Sequence, residues 1–203
     1  MIEGLIILDC EQGSDEWLEA RRGIPTGTGI GSIVNGNGEK SSGWVNYLSE
    51  LVEEHINGIN VKSKTSFMER GTELEPEARS YYEIVNDCEV IQVGGVYLND
   101  KKELMISPDG LIPEKRKGLE IKCPRLSTHV KYLINGVLPN EYKMQVQSAL
   151  WVTGYDTWDF VSYCPEYKKE PFFLITIERD EKIMKALDEH IPSFLRMLKQ
   201  FKD

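Results

Sequence analysis

The chain has 203 residues, of which 40% are hydrophobic and 28% are charged, a composition typical of a single globular domain. Its formal net charge of -9 on its own argues against a nucleic-acid partner, although a basic groove within an acidic surface would escape this exclusion. No apolar run approaches the roughly 20 residues that span a bilayer, and the first residues lack the basic region of a signal peptide. We therefore expect one domain over residues 1–203, located in the cytoplasm, with no membrane association.

The first half of the chain is predicted to be mainly helical. Ser14 is positioned to cap a short helix that ends at Arg22. Apolar residues at helical spacing predict an amphipathic helix over 43–57. A second helix is predicted over 67–85, and Pro76 should start or kink it.

The most glycine-rich segment, TGTGIGSIVNGNGEKSS, does not fit a nucleotide-binding loop. A dinucleotide fingerprint would need glycine where Ser32 stands, and a P-loop would need Gly-Lys where Gly-Glu-Lys occurs. We expect a turn, a short helix and a loop instead. Thr26 and Thr28 would open that helix, where free N–H groups bind phosphate, and Arg21 could clamp the same phosphate.

The second half contains both strands and helices. Three short β-rich segments are predicted to form a meander, at 89–99, 103–112 and 118–123. Two helices, two strands and a closing helix follow, at 127–135, 139–153, 157–164, 172–178 and 180–201. Because this order is not a strict βαβ alternation, it predicts an α/β fold with a central mixed β-sheet flanked by helices.

Three charged side chains interrupt the apolar pattern of the segment ISPDGLIPEKRKGLEIKCP: Asp109, Glu120 and Lys122. Glu120 and Lys122 point to the same face of a strand, and a hairpin at 113–118 would bring Asp109 opposite Glu120. Two close carboxylates repel each other, and Mg²⁺ relieves that repulsion by binding hard oxygen ligands. The motif therefore predicts a Mg²⁺ site, with the carbonyl oxygen of Ile121 as a third ligand.

Such a site would favour phosphodiester hydrolysis. Lys122 could position the attacking water or stabilise charge on the phosphate. A second ion about 3.5–4 Å away would stabilise the leaving oxygen, with Glu75 as its extra ligand. Basic residues of the surrounding segment EKRKGLEIKCPR would add positive charge near the acids. From the motif alone, the alternative that these charges only face water at a strand edge stays open.

Several segments together resemble one nuclease family. The pair SPDGLI and GLEIKCP resembles the PD-(D/E)XK nuclease core, in the form found in the phage lambda exonuclease and YqaJ-type viral recombinase family. Four further segments resemble that family in the same order: EQGSDEWLEARRG, GTELEPEAR, MQVQSALWVTG and IERDEKIMKALDEHIPSF.

This resemblance implies a Mg²⁺-dependent 5′→3′ exonuclease on double-stranded DNA. The enzyme would release mononucleotides and leave a 3′ single strand for annealing recombination. The resemblance further implies two Mg²⁺ ions that Mn²⁺ can replace, duplex ends with a 5′-phosphate as substrate, a ring-shaped homotrimer, a single-strand annealing protein as partner, and a phage or prophage origin.

The resemblance also implies roles for individual positions. The catalytic and metal-binding positions would be Asp109, Glu120, Ile121, Lys122 and Glu75. The substrate-binding positions would be Arg21 at the 5′-phosphate, Thr28 where the lambda enzyme has serine, Ser107 and Gln145. Trp44 and Met68 are weaker candidates for splitting the duplex end, and for them core packing is the favoured interpretation.

Two other functions stay open. A PD-(D/E)XK endonuclease acting at a site or junction would cut closed circular DNA, although the chain has little room for a specificity domain. A catalytically inert DNA-end-binding module would not bind Mg²⁺ or Mn²⁺.

Overall fold

The computed structural model describes residues 2, 4–59 and 66–203, with side chains from residue 69 onward in the last range. The α-helices in these ranges are α1 (Asp15–Arg21), α2 (Trp44–Asn57), α3 (Ser66–Asn86), α4 (Leu126–Asn135), α5 (Asn140–Thr153) and α6 (Glu181–Lys202). The strands are β1 (Ile6–Leu8), β2 (Gly95–Tyr97), β3 (Met105–Ile106), β4 (Gly110–Ile112), β5 (Lys117–Lys122), β6 (Thr157–Tyr163) and β7 (Phe172–Glu178). Within the described part of the chain, no helix has the length and apolar character needed to cross a bilayer.

Local sequence signals account for most helix positions. Ser14 caps α1 as predicted, because its hydroxyl accepts a hydrogen bond from the N–H of Trp17 at 3.2 Å. Helix α2 coincides with the predicted amphipathic helix. Pro76 lies inside α3, so it does not start that helix as one prediction allowed. Short 3₁₀ helices occupy Gly27–Ser32 and Pro113–Lys115.

The strands form two sheets. Strands β1, β2 and β3 are antiparallel neighbours in a three-stranded sheet. Strands β4 to β7 form a four-stranded mixed sheet, in which β5 and β6 are parallel while the two outer pairs are antiparallel. The α/β fold with a mixed sheet flanked by helices is therefore confirmed, whereas the prediction of a single three-stranded meander is wrong.

The predicted strand over 103–112 is broken at Ser107–Asp109, and its two halves, β3 and β4, lie in different sheets. Pro108 cannot donate a ladder hydrogen bond, which favours an interruption there. The side-chain amide of Gln12 holds the break by donating to the carbonyl oxygens of Pro108 at 2.8 Å and Val93 at 3.0 Å.

The core lies on both sides of α5. This helix packs against the 3₁₀ helix Gly27–Ser32, against α6 and against β6. On the far side, α2 packs on α6, where Trp44 is 4% exposed and meets Phe194 edge-on at 4.9 Å between ring centroids. Core packing is therefore confirmed for Trp44, and the side chain of Met68 lies outside the described residues.

A buried carboxylate ties α3 to the four-stranded sheet. Asp159 of β6 is 1% exposed and accepts hydrogen bonds from three donors on neighbouring elements. The donors are the hydroxyl of Tyr82 in α3 at 2.7 Å, the ammonium of Lys117 in β5 at 2.9 Å and the hydroxyl of Thr176 in β7 at 2.6 Å. Because α3 also carries Glu75, this network fixes that residue relative to the sheet.

Candidate functional site

The hairpin of β4 and β5 brings Asp109 opposite Glu120, as predicted. In this antiparallel pair Gly110 faces Leu119, so the next pair along the register is Asp109 with Glu120. The N–H of Asp109 donates to the carbonyl oxygen of Leu119 at 3.1 Å. The carboxylate oxygen Oδ2 of Asp109 accepts from the N–H of Ile121 at 2.6 Å, which fixes the side chain against β5.

The geometry of β5 also orients the carbonyl oxygen of Ile121. The N–H and C=O of one strand residue point to the same side of the strand. Since the N–H of Ile121 points toward Asp109, its carbonyl oxygen faces that side too, beyond the last β4 residue that pairs with β5. Ile121 therefore presents a main-chain oxygen beside the two carboxylates.

Among the three acids of the site, Asp109, Glu120 and Glu75, Glu120 is the most deeply buried, at 3% exposed. Its Oε1 accepts from the side-chain amide of Gln145 at 2.7 Å and also forms a short ion pair with the ammonium of Lys122. Burial, followed by the charge of Asp109, raises the pKa of Glu120 to about 7, although Lys122 and Gln145 act in the opposite direction. Burial likewise raises the pKa of Asp109, against the opposing influence of Lys122.

Lys122 stays protonated in this environment. Burial on its own would lower the pKa of Lys122, but the charges of Glu120 and Asp109 outweigh it and raise the pKa above its ordinary value. Lys122 can therefore donate hydrogen bonds and positive charge.

A cavity of about 200 Å³ joins these groups to the N-terminal part of the chain. It is lined by seven of the nine positions predicted to be catalytic, metal-binding or substrate-binding: Arg21, Thr28, Ser107, Asp109, Glu120, Lys122 and Gln145. The sequence segments that contribute them are far apart, so the fold brings together groups predicted from separate motifs.

Arg21 is held in this cavity by an aromatic side chain. Its guanidinium carbon lies 3.8 Å from the ring centroid of Trp17, a cation–π contact. The indole N–H of Trp17 donates to the hydroxyl of Ser107 at 3.1 Å and to the carbonyl oxygen of Gly94 at 2.9 Å. Within residues 4–59 and 69–203, Arg21 has no carboxylate partner in an ion pair, so its donors remain available to a ligand.

The threonines near Arg21 open a 3₁₀ helix of six residues. The N–H of Thr26 already donates to the hydroxyl of Tyr47 at 3.1 Å, and the hydroxyls of Thr26 and Thr28 are 3.3 Å apart. A methyl group at Gly29 would overlap Tyr47, so glycine permits this close approach. The predicted phosphate-binding helix end is therefore short, and the exposed hydroxyl of Thr28 is its more accessible donor.

Glu75 lies on the other side of Asp109, in a second cavity of about 470 Å³ that Asp109, Ile121 and Lys122 also line. Its carboxylate forms a short ion pair with Arg79. Burial, followed by the charge of Asp109, raises the pKa of Glu75, while Arg79 opposes that change. The described residues contain no cluster of three or more Asp, Glu, His or Cys side chains close enough to hold an ion. Glu75 therefore does not form a preformed metal site with Asp109 and Glu120.

The donor set nevertheless fits a hard divalent cation such as Mg²⁺. Asp109 and Glu120 each use only one carboxylate oxygen in the hydrogen bonds described above, which leaves Oδ1 and Oε2 for a ligand. These two oxygens and the carbonyl oxygen of Ile121 are hard ligands, and Mg²⁺ completes its octahedron with water.

The sequence did not identify Arg79 as a site residue. It also led to an overestimate of the free positive charge that the segment 114–125 carries. The Glu75–Arg79 spacing of four residues is the only signal for Arg79, and such pairs usually lie on solvent-exposed helix faces. Four basic side chains of the segment are bonded within the chain: Lys115 to main-chain carbonyls at the end of α3, Arg116 to Asp156, Lys117 to Asp159 and Lys122 to Glu120. Most of the positive charge of this segment is therefore not free.

Comparison with known families matches residues 16–156, well over half of the chain, to the YqaJ-like viral recombinase domain. The chain belongs to this family. The YqaJ-family chain is 37% identical over 71 residues to the putative uncharacterized protein ExoD of Escherichia coli K12, a match that covers 34% of the chain and 82% of that protein. It is also 29% identical over 164 residues to the uncharacterized protein R354 of Acanthamoeba polyphaga mimivirus, a match that covers 74% of the chain and 29% of that protein.

Solved structures extend this relationship to nearly the whole YqaJ-family chain. The alkaline exonuclease LHK-Exo from Laribacter hongkongensis is 31% identical, with a TM-score of 0.80 over 92% of this chain and 93% of that one. The same enzyme in complex with dAMP gives a TM-score of 0.81. A phage-related exonuclease from Haemophilus somnus, 14% identical with a TM-score of 0.67 over 87% of this chain and 94% of that one, shares the fold. The resemblance inferred from the sequence is confirmed.

Proposed function

We propose that this YqaJ-family protein is a Mg²⁺-dependent exonuclease that digests one strand of linear double-stranded DNA from the 5′ end. It would release mononucleotides and leave a 3′ single strand for annealing recombination. The observation that carries the proposal is the single cavity that joins the Asp109–Glu120–Lys122 motif to the unpaired guanidinium of Arg21. The similarity to LHK-Exo, including its complex with dAMP, supports a nuclease role and a nucleotide-sized product.

The carboxylates of Asp109 and Glu120 and the carbonyl oxygen of Ile121 would hold the first Mg²⁺, and Glu75 would contribute to a second. Mn²⁺ has the same preference for oxygen ligands and should substitute. When bound, the ions would supply an activated water and stabilise the negative charge of the reacting phosphate and the leaving oxygen. Gln145 orients Glu120 by donating a hydrogen bond to Oε1, which would leave Oε2 to bind the ion.

Lys122 would act as a charge donor in this reaction. Its raised pKa keeps it cationic, and its ion pair with Glu120 holds the ammonium beside the motif. In that position it can stabilise a negatively charged phosphoryl oxygen through a preorganised, charge-assisted hydrogen bond. Lys122 would therefore contribute to stabilising the transition state.

The direction of digestion would come from the opposite end of the cavity. Arg21 can grip a terminal phosphate with two parallel donors, and the hydroxyls of Thr28 and Ser107 line the same space. Hydrolysis that breaks the bond from phosphorus to the 3′ oxygen leaves a new 5′-phosphate on the shortened strand. Each cleavage would thus regenerate the group that Arg21 recognises, which favours repeated digestion from the 5′ end.

The decisive test is a time course on linear DNA with one 5′-phosphorylated end and one blocked end, in Mg²⁺. We expect mononucleotides from the phosphorylated strand only, and no digestion by the Asp109→Ala or Lys122→Ala variants, whose circular dichroism should stay native-like. Full activity in either variant would contradict the assignment. Cleavage of a closed circular plasmid would favour the endonuclease, and calorimetry that detects no Mg²⁺ or Mn²⁺ binding would favour the inert DNA-end-binding module.

The proposal also includes a ring-shaped homotrimer that encloses duplex DNA, a single-strand annealing protein as partner, and a cytoplasmic location in a phage-infected or lysogenic bacterium. Several large apolar side chains are exposed and would suit contacts between copies: Val45, Ile56, Ile84, Ile134 and Phe201. Light scattering that gives a monomer mass at working concentration would exclude the ring.

A further inference from the structure

We infer that Arg79 is a positioning residue that holds the main chain of Asp109 and the carboxylate of Glu75 together as one unit. Nothing in the sequence motifs assigned it a role. The inference deepens the proposed function, since it rests on Asp109 and Glu75 serving two ions.

The burial and contacts of Arg79 single it out. It is a charged residue only 8% exposed, on the face of α3 that covers the site. Its Nε donates to the carbonyl oxygen of Asp109 at 3.1 Å, and its Nη2 forms the short ion pair with Glu75. With the amide of Gln92 turned so that its oxygen faces the guanidinium, that oxygen accepts from Nη1 at 3.0 Å and Nη2 at 3.1 Å.

Asp109 needs such support because it is the last residue of the break between the two sheets. Its N–H is fixed by Leu119, and the preceding carbonyl, of Pro108, is fixed by Gln12. The carbonyl oxygen of Asp109 is then fixed by Arg79. These three hydrogen bonds come from three different elements and define the backbone that aims the Asp109 carboxylate.

Glu75 needs a cation for a different reason. Asp109 and Glu75 line the same cavity, and two like charges placed there repel each other. The Glu75 side chain is 34% exposed, so without Arg79 its carboxylate could turn toward water and away from Asp109. The ion pair with the guanidinium therefore keeps the Glu75 carboxylate beside Asp109, where the second ion would bind.

The planar fork of arginine is what makes this arrangement possible. Three acceptors on three segments are reached at once by donors in fixed directions, which a lysine ammonium on a flexible stem cannot reproduce. The charge-conserving Arg79→Lys substitution should thus keep the net charge but lose the coupling of Asp109 to Glu75.

A matched control exists on the same helix. Arg70 of α3 also donates from Nε to a main-chain carbonyl, that of Cys123 at 3.2 Å, and pairs through both terminal nitrogens with a carboxylate, Glu166 at 2.6 Å. Glu166 is more than half exposed and does not line either cavity. Arg70→Lys therefore removes the same kind of paired donors, and none of the hydrogen bonds lost reaches Asp109 or Glu75.

The first measurement is amide hydrogen exchange of the metal-free protein. In Arg79→Lys we expect the amides of Asp109 and Ile121 to exchange about tenfold faster or more, as loss of a charge-assisted hydrogen bond implies, while Arg70→Lys leaves them unchanged. If Arg79→Lys does not fold, the milder Gln92→Ala variant should show the same effect at smaller size. Unchanged exchange at both amides, or equal acceleration in the Arg70→Lys control, would overturn the inference.

The second measurement is calorimetric titration with Mn²⁺, alone and with dAMP present. Arg79→Lys should weaken ion binding about 10–100-fold, the usual effect of losing a group that orients a metal ligand. Digestion should then need a higher Mg²⁺ concentration for half-maximal rate, with kcat largely restored at saturating Mg²⁺. Wild-type affinity retained in Arg79→Lys would overturn the inference. If the wild-type protein itself binds no Mn²⁺, the proposed metal site fails, and the exchange measurement still decides the role of Arg79.

Discussion

Replacement of Arg21 tests whether the enzyme recognises a 5′-phosphate. The guanidinium is stacked on Trp17 and has donors free for a ligand, so a bound phosphate would accept two charge-assisted hydrogen bonds from it. Each such bond contributes about 1.5–3 kcal/mol. Their combined loss in Arg21→Ala, taken at the low end as about 3 kcal/mol, corresponds to roughly a 100-fold lower kcat/KM on phosphorylated ends. Arg21→Lys keeps the positive charge but loses the two parallel N–H donors, so we expect kcat/KM on phosphorylated ends to fall about tenfold.

The assay compares initial rates on two duplexes that differ only in a 5′-phosphate or 5′-hydroxyl at the open end. On the hydroxyl duplex the phosphate is missing, so Arg21→Ala should change kcat/KM by only about threefold. The neighbouring Arg22 is a suitable control, because it donates to the carbonyl oxygens of Glu54 at 3.1 Å and His55 at 2.7 Å and does not line the cavity. Equal losses on both duplexes in Arg21→Ala would refute the phosphate role, and a selective loss in Arg22→Ala would refute the choice of residue.

Two further predictions concern pH and stability. Because burial raises the pKa of Glu120 to about 7, an ion that binds below that pH must displace a proton. Mn²⁺ affinity measured by calorimetry should therefore fall by up to about tenfold per unit below pH 7, and equal affinity at pH 6 and pH 8 would contradict the assignment. Asp159→Ala leaves three donors without their acceptor and should lower the free energy of unfolding in urea by about 3 kcal/mol. The exposed partner of Arg116, Asp156, is the control, and Asp156→Ala should change stability by less than about 0.5 kcal/mol.

The parts of the fold that could be predicted are those determined by the order of apolar and polar residues within one short segment. Apolar spacing located α2 to within a residue, and strand alternation placed Glu120 and Lys122 on one face. The hairpin then brought Asp109 opposite Glu120 without further information. These features depend on neighbours along the chain, which is why the relative placement of Asp109, Glu120 and Lys122 could be derived from the amino-acid sequence alone.

The parts that could not be predicted depend on distant residues. Strand β1 has only three residues and exists because β2 pairs with it. The break at Ser107–Asp109 is held by Gln12 and Arg79, from segments about 96 and 30 residues away. No periodicity in the sequence encodes those contacts, so a continuous strand was the natural but wrong prediction.

That same break bears on the size of the product. Ser107 directly follows β3 of one sheet and Asp109 directly precedes β4 of the other, yet only Pro108 separates them. Two residues of extended chain span about 7 Å, a length on the scale of one nucleotide. Ser107 accepts a hydrogen bond from Trp17, whose ring stacks on Arg21, and Asp109 is a proposed metal ligand. Movement of one sheet relative to the other would change the main-chain spacing of these two residues little, which would suit the release of one nucleotide per cleavage in the proposed reaction.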